Sequence, residues 1–218
     1  MDSAEALFAK EGYNGVSIRE ITAVAQCNQA LVHYPFGNKK NLYIEVFRSR
    51  WLPREKKVLR CFEKALADLE IPTPKKVVKA FARCYIDSPL TNAERQHQRL
   101  LVVRELSNPS EAFELVTEQI IHPLTRIFSK YLKPHLSDSV NEKSLKLHIL
   151  SIFGTVYYFT YSRTIISHIM GTEYDAAFKR DVIEHIVRFS MGGLPLRKGP
   201  IRSIEYSDSD RGLARAAL

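Results

Sequence analysis

Apolar positions along this chain recur at three- and four-residue spacing almost throughout, and no alternating strand pattern persists. That predicts an all-α fold. The periodicity gives nine helices, roughly 2–11, 17–24, 28–34, 38–66, 74–88, 92–106, 109–132, 140–170 and 175–190. Caps mark several starts. Ser17 with Glu20 and Thr91 with Glu94 form capping boxes. Thr73-Pro74 sets an N-cap before a proline at the first helical position, and Asn108-Pro109 repeats that logic. Asn38 and Asp175 are further caps. Pro53 and Pro123 fall inside long periodic stretches and should kink or divide them. After Gly192-Gly193 the pattern collapses, so 194–218 reads as a mobile tail.

The second and third helices are short, and only Ala25-Gln26-Cys27 separates them. The third runs straight into Pro35-Phe36-Gly37 and a new helix. Two short helices with a tight turn make a helix-turn-helix, whose second helix enters the DNA major groove. Phe8, Ile18, Ile21, Ala25, Leu31 and Phe36 are spaced to form a small core. Gln29, Ala30, His33 and Tyr34 then face outward. A glutamine can pair with adenine, and an alanine can touch a thymine methyl. Ser17, as an N-cap, heads a helix end that offers backbone N–H groups to a phosphate. Lys39 and Lys40 sit in a first helical turn, where the helix dipole disfavours cations, and a phosphate contact would explain them. Spacing alone leaves a second reading open, a mere corner in an all-α protein.

Composition narrows the class. With 218 residues, 26% charged and 45% hydrophobic, the chain is an ordinary globular protein of one domain or two small ones. Its net charge is +8, and the excess is denser at the N-terminus: residues 1–66 carry 11 basic and 7 acidic side chains. Nucleic acid or an acidic surface suits that balance. The three cysteines, Cys27, Cys61 and Cys84, lie far apart with no C-x-x-C pair, and a reducing compartment fits them best. The N-terminus lacks a signal-peptide pattern, and the uncharged stretch Leu147–Ser162 is short of a membrane span. A soluble, cytoplasmic protein with no membrane role is expected. No metal-ligand spacing, nucleophile elbow or phosphate loop occurs, so neither a metal, a cofactor nor an enzyme activity is expected.

The stretches AEALFAKEGYNGVSIREITAVA and NQALVHYPFGNKKNLYIEVF, within residues 4–47, resemble the N-terminal domain of the TetR family of bacterial transcriptional regulators. A looser likeness covers RELSNPS (104–110), Pro123 and FGTVYYFTYSRTI (153–165). These resemble the C-terminal ligand-binding domain of a subgroup that includes regulators of membrane and drug-export genes. The resemblance implies a DNA-binding domain over 1–48 and a ligand-binding and dimerisation domain over 49–193. It implies a homodimeric repressor on a near-palindromic operator, released by a small-molecule inducer. By position, Ser17, Gln29, Ala30, His33, Tyr34 and Lys39, with Lys40 beside it, would contact DNA. Three features depart from the family pattern. Only seven residues, none basic, precede Phe8, where members carry a basic arm. Gln26 stands at a turn position usually held by glycine. Pro35 replaces a usual histidine and disfavours helical geometry at Tyr34.

The eighth helix is apolar on two sides. Leu145, Ile149, Ile152, Val156 and Phe159 fall on one, and Leu147, Leu150, Gly154, Tyr158, Tyr161 and Ile165 on the other. Such a helix must be covered on both sides, by its own fold and by a partner subunit, or entirely within a monomer. Periodicity does not say which face is which. The candidate dimer surface is Ile149, Ile152, Val156 and Phe159, with Phe178, Val182, Ile186 and Phe189 as a matching stripe. The candidate ligand residues are Cys84, Tyr85, Arg104, His122, Phe153, Tyr157, Tyr158, Tyr161 and Arg163, an aromatic and polar set suited to a pocket. The rival function is an all-α ligand-binding or scaffold protein with a degenerate DNA head.

Overall fold

The structure is a computed structural model, and it describes residues 1–197. Those residues form twelve α-helices: α1 Asp2–Glu11, α2 Ile18–Val24, α3 Ala30–Phe36, α4 Lys39–Val46, α5 Leu52–Ala67, α6 Pro74–Ile86, α7 Asn92–Ser107, α8 Glu111–Val116, α9 His122–Leu132, α10 Glu142–Tyr161, α11 Arg163–Met170 and α12 Ala176–Gly193. Among the described residues the only β pairing is one isolated bridge, Leu136 with Leu196. The expected all-α class holds.

Both interior prolines divide their helices in the same way. One turn of π-helix, Phe47–Trp51, precedes Leu52-Pro53, and another, Thr117–Ile121, precedes His122-Pro123. Leu52 N–H reaches back to the Phe47 carbonyl, and His122 N–H to Thr117. A proline has no N–H to donate, and its ring collides with the carbonyl four residues back. Widening the preceding turn absorbs both problems without ending the helix.

The chain forms two compact units. The first comprises residues 1–58 and 89–123, so α7 and α8 belong with the N-terminal helices. Its core is an aromatic chain: Phe8 meets Tyr43 edge-on at 5.0 Å, Tyr43 meets Phe47 at 5.3 Å, and Phe47 meets Trp51 at 6.0 Å. Ile21 joins the core as expected, but Ile18 and Phe36 are half-buried and Ala25 is exposed. Leu31 is 65% exposed, and Val32, at 7%, takes the inward place assigned to it. The cause is local. Asn28 Oδ1 accepts from Ala30 N–H in a turn, so α3 starts two residues later than the periodicity suggests and a different residue points inward.

The second unit comprises residues 59–88 and the chain from Leu124 onward. Here α6 packs against α10 and α12. Phe62, Phe81, Phe128 and Phe153 interlock with ring centroids 5.0–5.5 Å apart. The expected helix 140–170 breaks at Ser162. Arg163 donates to the Thr160 carbonyl and to Ile86 O, while the Tyr174 hydroxyl donates to Phe159 O. The bonds to Thr160 O and Phe159 O satisfy carbonyls that the end of α10 leaves open, and the bond to Ile86 O does the same for the end of α6. Most of the expected tail, 198–218, lies outside the described residues. Its first residues are tied down: Leu194 is buried, Ser137 N–H donates to Pro195 O, and Arg197 N–H donates to His135 O.

Candidate nucleic-acid interface

α2 opens on the predicted capping box. Glu20 N–H donates to Ser17 Oγ at 3.2 Å, and the Glu20 carboxylate accepts from Ser17 N–H at 2.7 Å. Hydrogen bonds from Ser17 hold the exposed Glu20 carboxyl below its ordinary value. The box therefore occupies part of the helix end expected to face a phosphate. The turn to α3 passes through Gln26 at φ 52°, the one non-glycine residue with positive φ among those described. It stands where the family pattern has glycine, and a side chain there strains the backbone.

α3 presents Gln29, Ala30, His33 and Tyr34 to solvent, with Tyr34 96% exposed. Leu31 lies exposed in the same helix, although its spacing predicts a core position. His33 Nδ1 lies 3.1 Å from Gly37 O. A carbonyl only accepts, so Nδ1 carries the proton in this bond, and Nε2 is the ring nitrogen left facing outward. Pro35 lies inside α3, yet Tyr34 stays helical, contrary to the expectation. It sits in the last turn, and the helix closes at once by Gly37 N–H to His33 O at 2.9 Å, with Gly37 at φ 73°. Asn38 then caps α4 by accepting from Asn41 N–H.

Both lysines have partners within the unit. Lys39 Nζ donates to Val16 O at 2.9 Å and lies 4.4 Å from the centre of the Tyr13 ring. Lys40 pairs with Glu111 at 2.6 Å, and that bond raises its pKa. A phosphate is thus not needed to account for either residue in the first turn of α4.

Polar side chains, some of them buried, tie the other helices of the first unit together. Arg104 donates to Lys10 O at 2.7 Å and to Ala9 O at 3.3 Å, satisfying the C-terminal carbonyls of α1. It fills the space beside Gly12, where an added Cβ would come within 2.6 Å of its guanidinium. Buried Glu105 accepts from the Tyr43 hydroxyl at 2.7 Å and from Ser110 N–H at 2.9 Å. Burial, then the bond to Glu105, pushes the Tyr43 phenol far above its ordinary value. Gln98 donates to Trp51 O and to Glu55, and Arg54 pairs with Glu5 and Glu94.

Several expected ligand residues lie elsewhere. Arg104 is engaged by α1, and His122 is exposed beside Glu118; both belong to the first unit. Cys84 is bonded to Cys61 in a disulfide, which the wide cysteine spacing did not suggest. Phe153 is part of the aromatic core. Tyr85 and Tyr157 do come together, hydroxyl to hydroxyl at 3.1 Å, and Tyr161 stacks on Tyr157. Arg163 binds backbone carbonyls and stacks 4.7 Å over Tyr174. Tyr158 lies apart on the other face of α10. There it lines a shallow cavity of about 320 Å³ with Gly154, Thr155, Phe159, His185 and Phe189.

The expected dimer stripe needs correction. Ile149, Ile152, Val156, Val182 and Ile186 are buried within the unit, where no second chain can reach them. Phe159 and Phe178 are half-buried, and Phe189 is 64% exposed. The exposed apolar side chains of α10 are Leu147, Leu150 and Tyr158, on the opposite face. Among the described residues no cluster of three or more His, Cys, Asp or Glu is placed to hold a metal, and no helix is long and apolar enough to cross a membrane.

Comparison with known proteins accords with this geometry. Residues 1–46 match the family described as bacterial regulatory proteins, tetR family. Residues 74–194, more than half the chain, match the C-terminal domain of the HTH-type transcriptional dual regulator CecR. CecR of Shigella flexneri is 25% identical over 170 residues, which span 72% of each chain. A tetR-family regulatory protein from Rhodococcus RHA1 superposes with a TM-score of 0.64 at 17% identity, over 90% of this chain and 95% of that one. The fatty acid degradation regulator FadR from Bacillus halodurans gives 0.61 at 16% identity, over 90% and 94%. The chain belongs to the TetR family of DNA-binding transcriptional regulators. Within it, residues 74–194 form a C-terminal domain of the CecR kind.

Proposed function

We propose that this protein is a homodimeric, cytoplasmic repressor whose α3 reads one half of a near-palindromic operator and which a small-molecule inducer releases. The observation that carries this reading is the outward presentation of Gln29, Ala30, His33 and Tyr34 on one short helix that follows a tight turn. Gln29 offers a bidentate partner for adenine, Ala30 a contact for a thymine methyl, and His33 Nε2 an acceptor for a base amino group. Lys39, Lys40 and the Ser17 end of α2 flank it as phosphate contacts, once Lys40 exchanges Glu111 for DNA. The dimer forms through the exposed face of α10, with Leu147, Leu150 and Tyr158, together with Phe189 of α12. A two-fold axis pairs identical apolar surfaces and covers what the subunit leaves exposed. The inducer sits against Tyr85, Tyr157 and Tyr161, where hydroxyls edge an apolar cluster. It releases DNA by favouring a dimer whose two α3 helices no longer match the half-site spacing. The test is operator binding by Gln29→Ala and His33→Ala. Each should lose about 1–3 kcal/mol of sequence discrimination while dimerisation survives. Undiminished discrimination by both would remove α3 from the reading role.

A further inference from the structure

We infer that Cys61 and Cys84 form a reversible redox site that a hydroperoxide oxidises and cellular thiols reduce. The inference rests on the regulator reading above only for its effect on DNA. The two cysteines lie on α5 and α6 of the second unit, with Cα atoms 5.9 Å apart and their sulfurs bonded. That separation is normal for a disulfide, so the bond closes without moving either helix. Adjacent Phe62 packs on Phe81 at 5.2 Å and on Phe128 at 5.5 Å. Those contacts hold α5 against its neighbours whichever state the sulfurs are in, so reduction leaves the thiols side by side. A protein that works on DNA operates among thiol pools that keep cysteines reduced, and a disulfide there is usually transient and redox-sensing.

The two sulfurs differ in a way that assigns their roles. Cys61 is exposed, and Lys57 and Lys64 lie one turn to either side of it on α5. Nearby cations and access to solvent favour the reactive thiolate. Cys84 is buried, which favours its protonated form. The Cys61 thiolate attacks one peroxide oxygen, the O–O bond breaks, and a sulfenic acid forms as the other oxygen leaves with a proton. Cys84 sulfur then attacks Cys61 sulfur, and the S–S bond forms as hydroxide leaves with the Cys84 proton as water. Two thiols and one peroxide become a disulfide and two waters, or water and an alcohol for an organic peroxide. Two exchanges with a small thiol return the starting state. The bond pins α5 to α6. α5 begins in the first unit and ends in the second, so operator affinity is the readout for any effect of this bond on the DNA-binding unit.

The experiment counts thiols and measures operator affinity on the full chain. Unfolded in maleimide after hydrogen peroxide treatment, the protein should take one label, on Cys27, and after reduction three. Operator affinity should differ between the two states by about fivefold or more. The Cys27→Ser variant should behave like wild type, and Cys61→Ser, altered at an exposed site, should show no response to peroxide. Cys84→Ser should stop at the sulfenic acid, trapped by dimedone on Cys61. Three labels after peroxide treatment would overturn the site, and equal affinities in the two states would overturn its effect on DNA. Failure to bind any operator would count against the regulator reading and leave the thiol count to stand by itself.

Discussion

α3 and α10 both expose large apolar side chains, Leu31 and Tyr34 on one and Leu147, Leu150 and Tyr158 on the other, but they are built in opposite ways. α3 is seven residues long, buries one side chain, Val32, and is fixed at its ends by the Asn28 turn before it and Gly37 after it. α10 is twenty residues long and holds itself through a full stripe of buried Leu145, Ile149, Ile152 and Val156. A short helix cannot contribute much burial, so turns and polar contacts must fix its direction. A long helix, anchored by one stripe, is free to carry a second apolar face for another purpose.

Truncations in the second unit should show that division most strongly. Phe81→Ala removes a ring that meets four aromatic neighbours and should cost about 3–5 kcal/mol of stability in chemical denaturation. Leu150→Ala should change monomer stability by less than about 0.5 kcal/mol, yet weaken self-association in sedimentation. Equal effects on stability would erase the distinction between the buried ring cluster and the exposed face of α10. In the first unit, Arg104→Ala strips the C-terminal carbonyls of α1 of a charged donor and should cost about 2 kcal/mol. A cost near zero would mean that Arg104 is free for other work. Ser17→Ala should cost about 1 kcal/mol through loss of the capping box. Gln26→Gly should stabilise by up to about 1 kcal/mol as the positive φ is relieved.

The smallest effect expected is a pH dependence. Burial holds the His135 imidazole below its ordinary 6.5, against a hydrogen bond to Pro72 O that raises it. Above pH 6.5 both folded and unfolded chains hold it neutral. Below that, the unfolded chain binds the proton first, so stability falls with pH until the folded state titrates too. His135→Gln should flatten this slope in thermal melts between pH 6.5 and more acidic solution.

The head was the more legible half of the sequence because its signals are local. The Ser17-Glu20 box and the Asn38 cap each act within four residues and form as their spacing says, whereas the turn after Val24 runs two residues longer than expected. Leu31 was misplaced because a two-residue shift in the start of α3 exchanges Leu31 for Val32. Where α10 was concerned, periodicity showed two apolar faces but carried no information about which one its own fold covers. The buried stripe is the one first assigned to a partner. Arg104 looked like an anion ligand in isolation. Its role depends on α1, more than ninety residues earlier, a separation no local pattern reports. The Cys61–Cys84 bond was hidden for the same reason.

Whether α3 reads a DNA sequence decides what this protein does. The direct measurement is selection of genomic fragments by the purified protein, followed by fluorescence anisotropy of the enriched site at two salt concentrations. The prediction is a near-palindrome with half-sites about 34 Å apart or a multiple of that, bound with an affinity that falls steeply as salt rises. Enrichment of nothing above background, or binding to the enriched site no tighter than to random duplex, would contradict it.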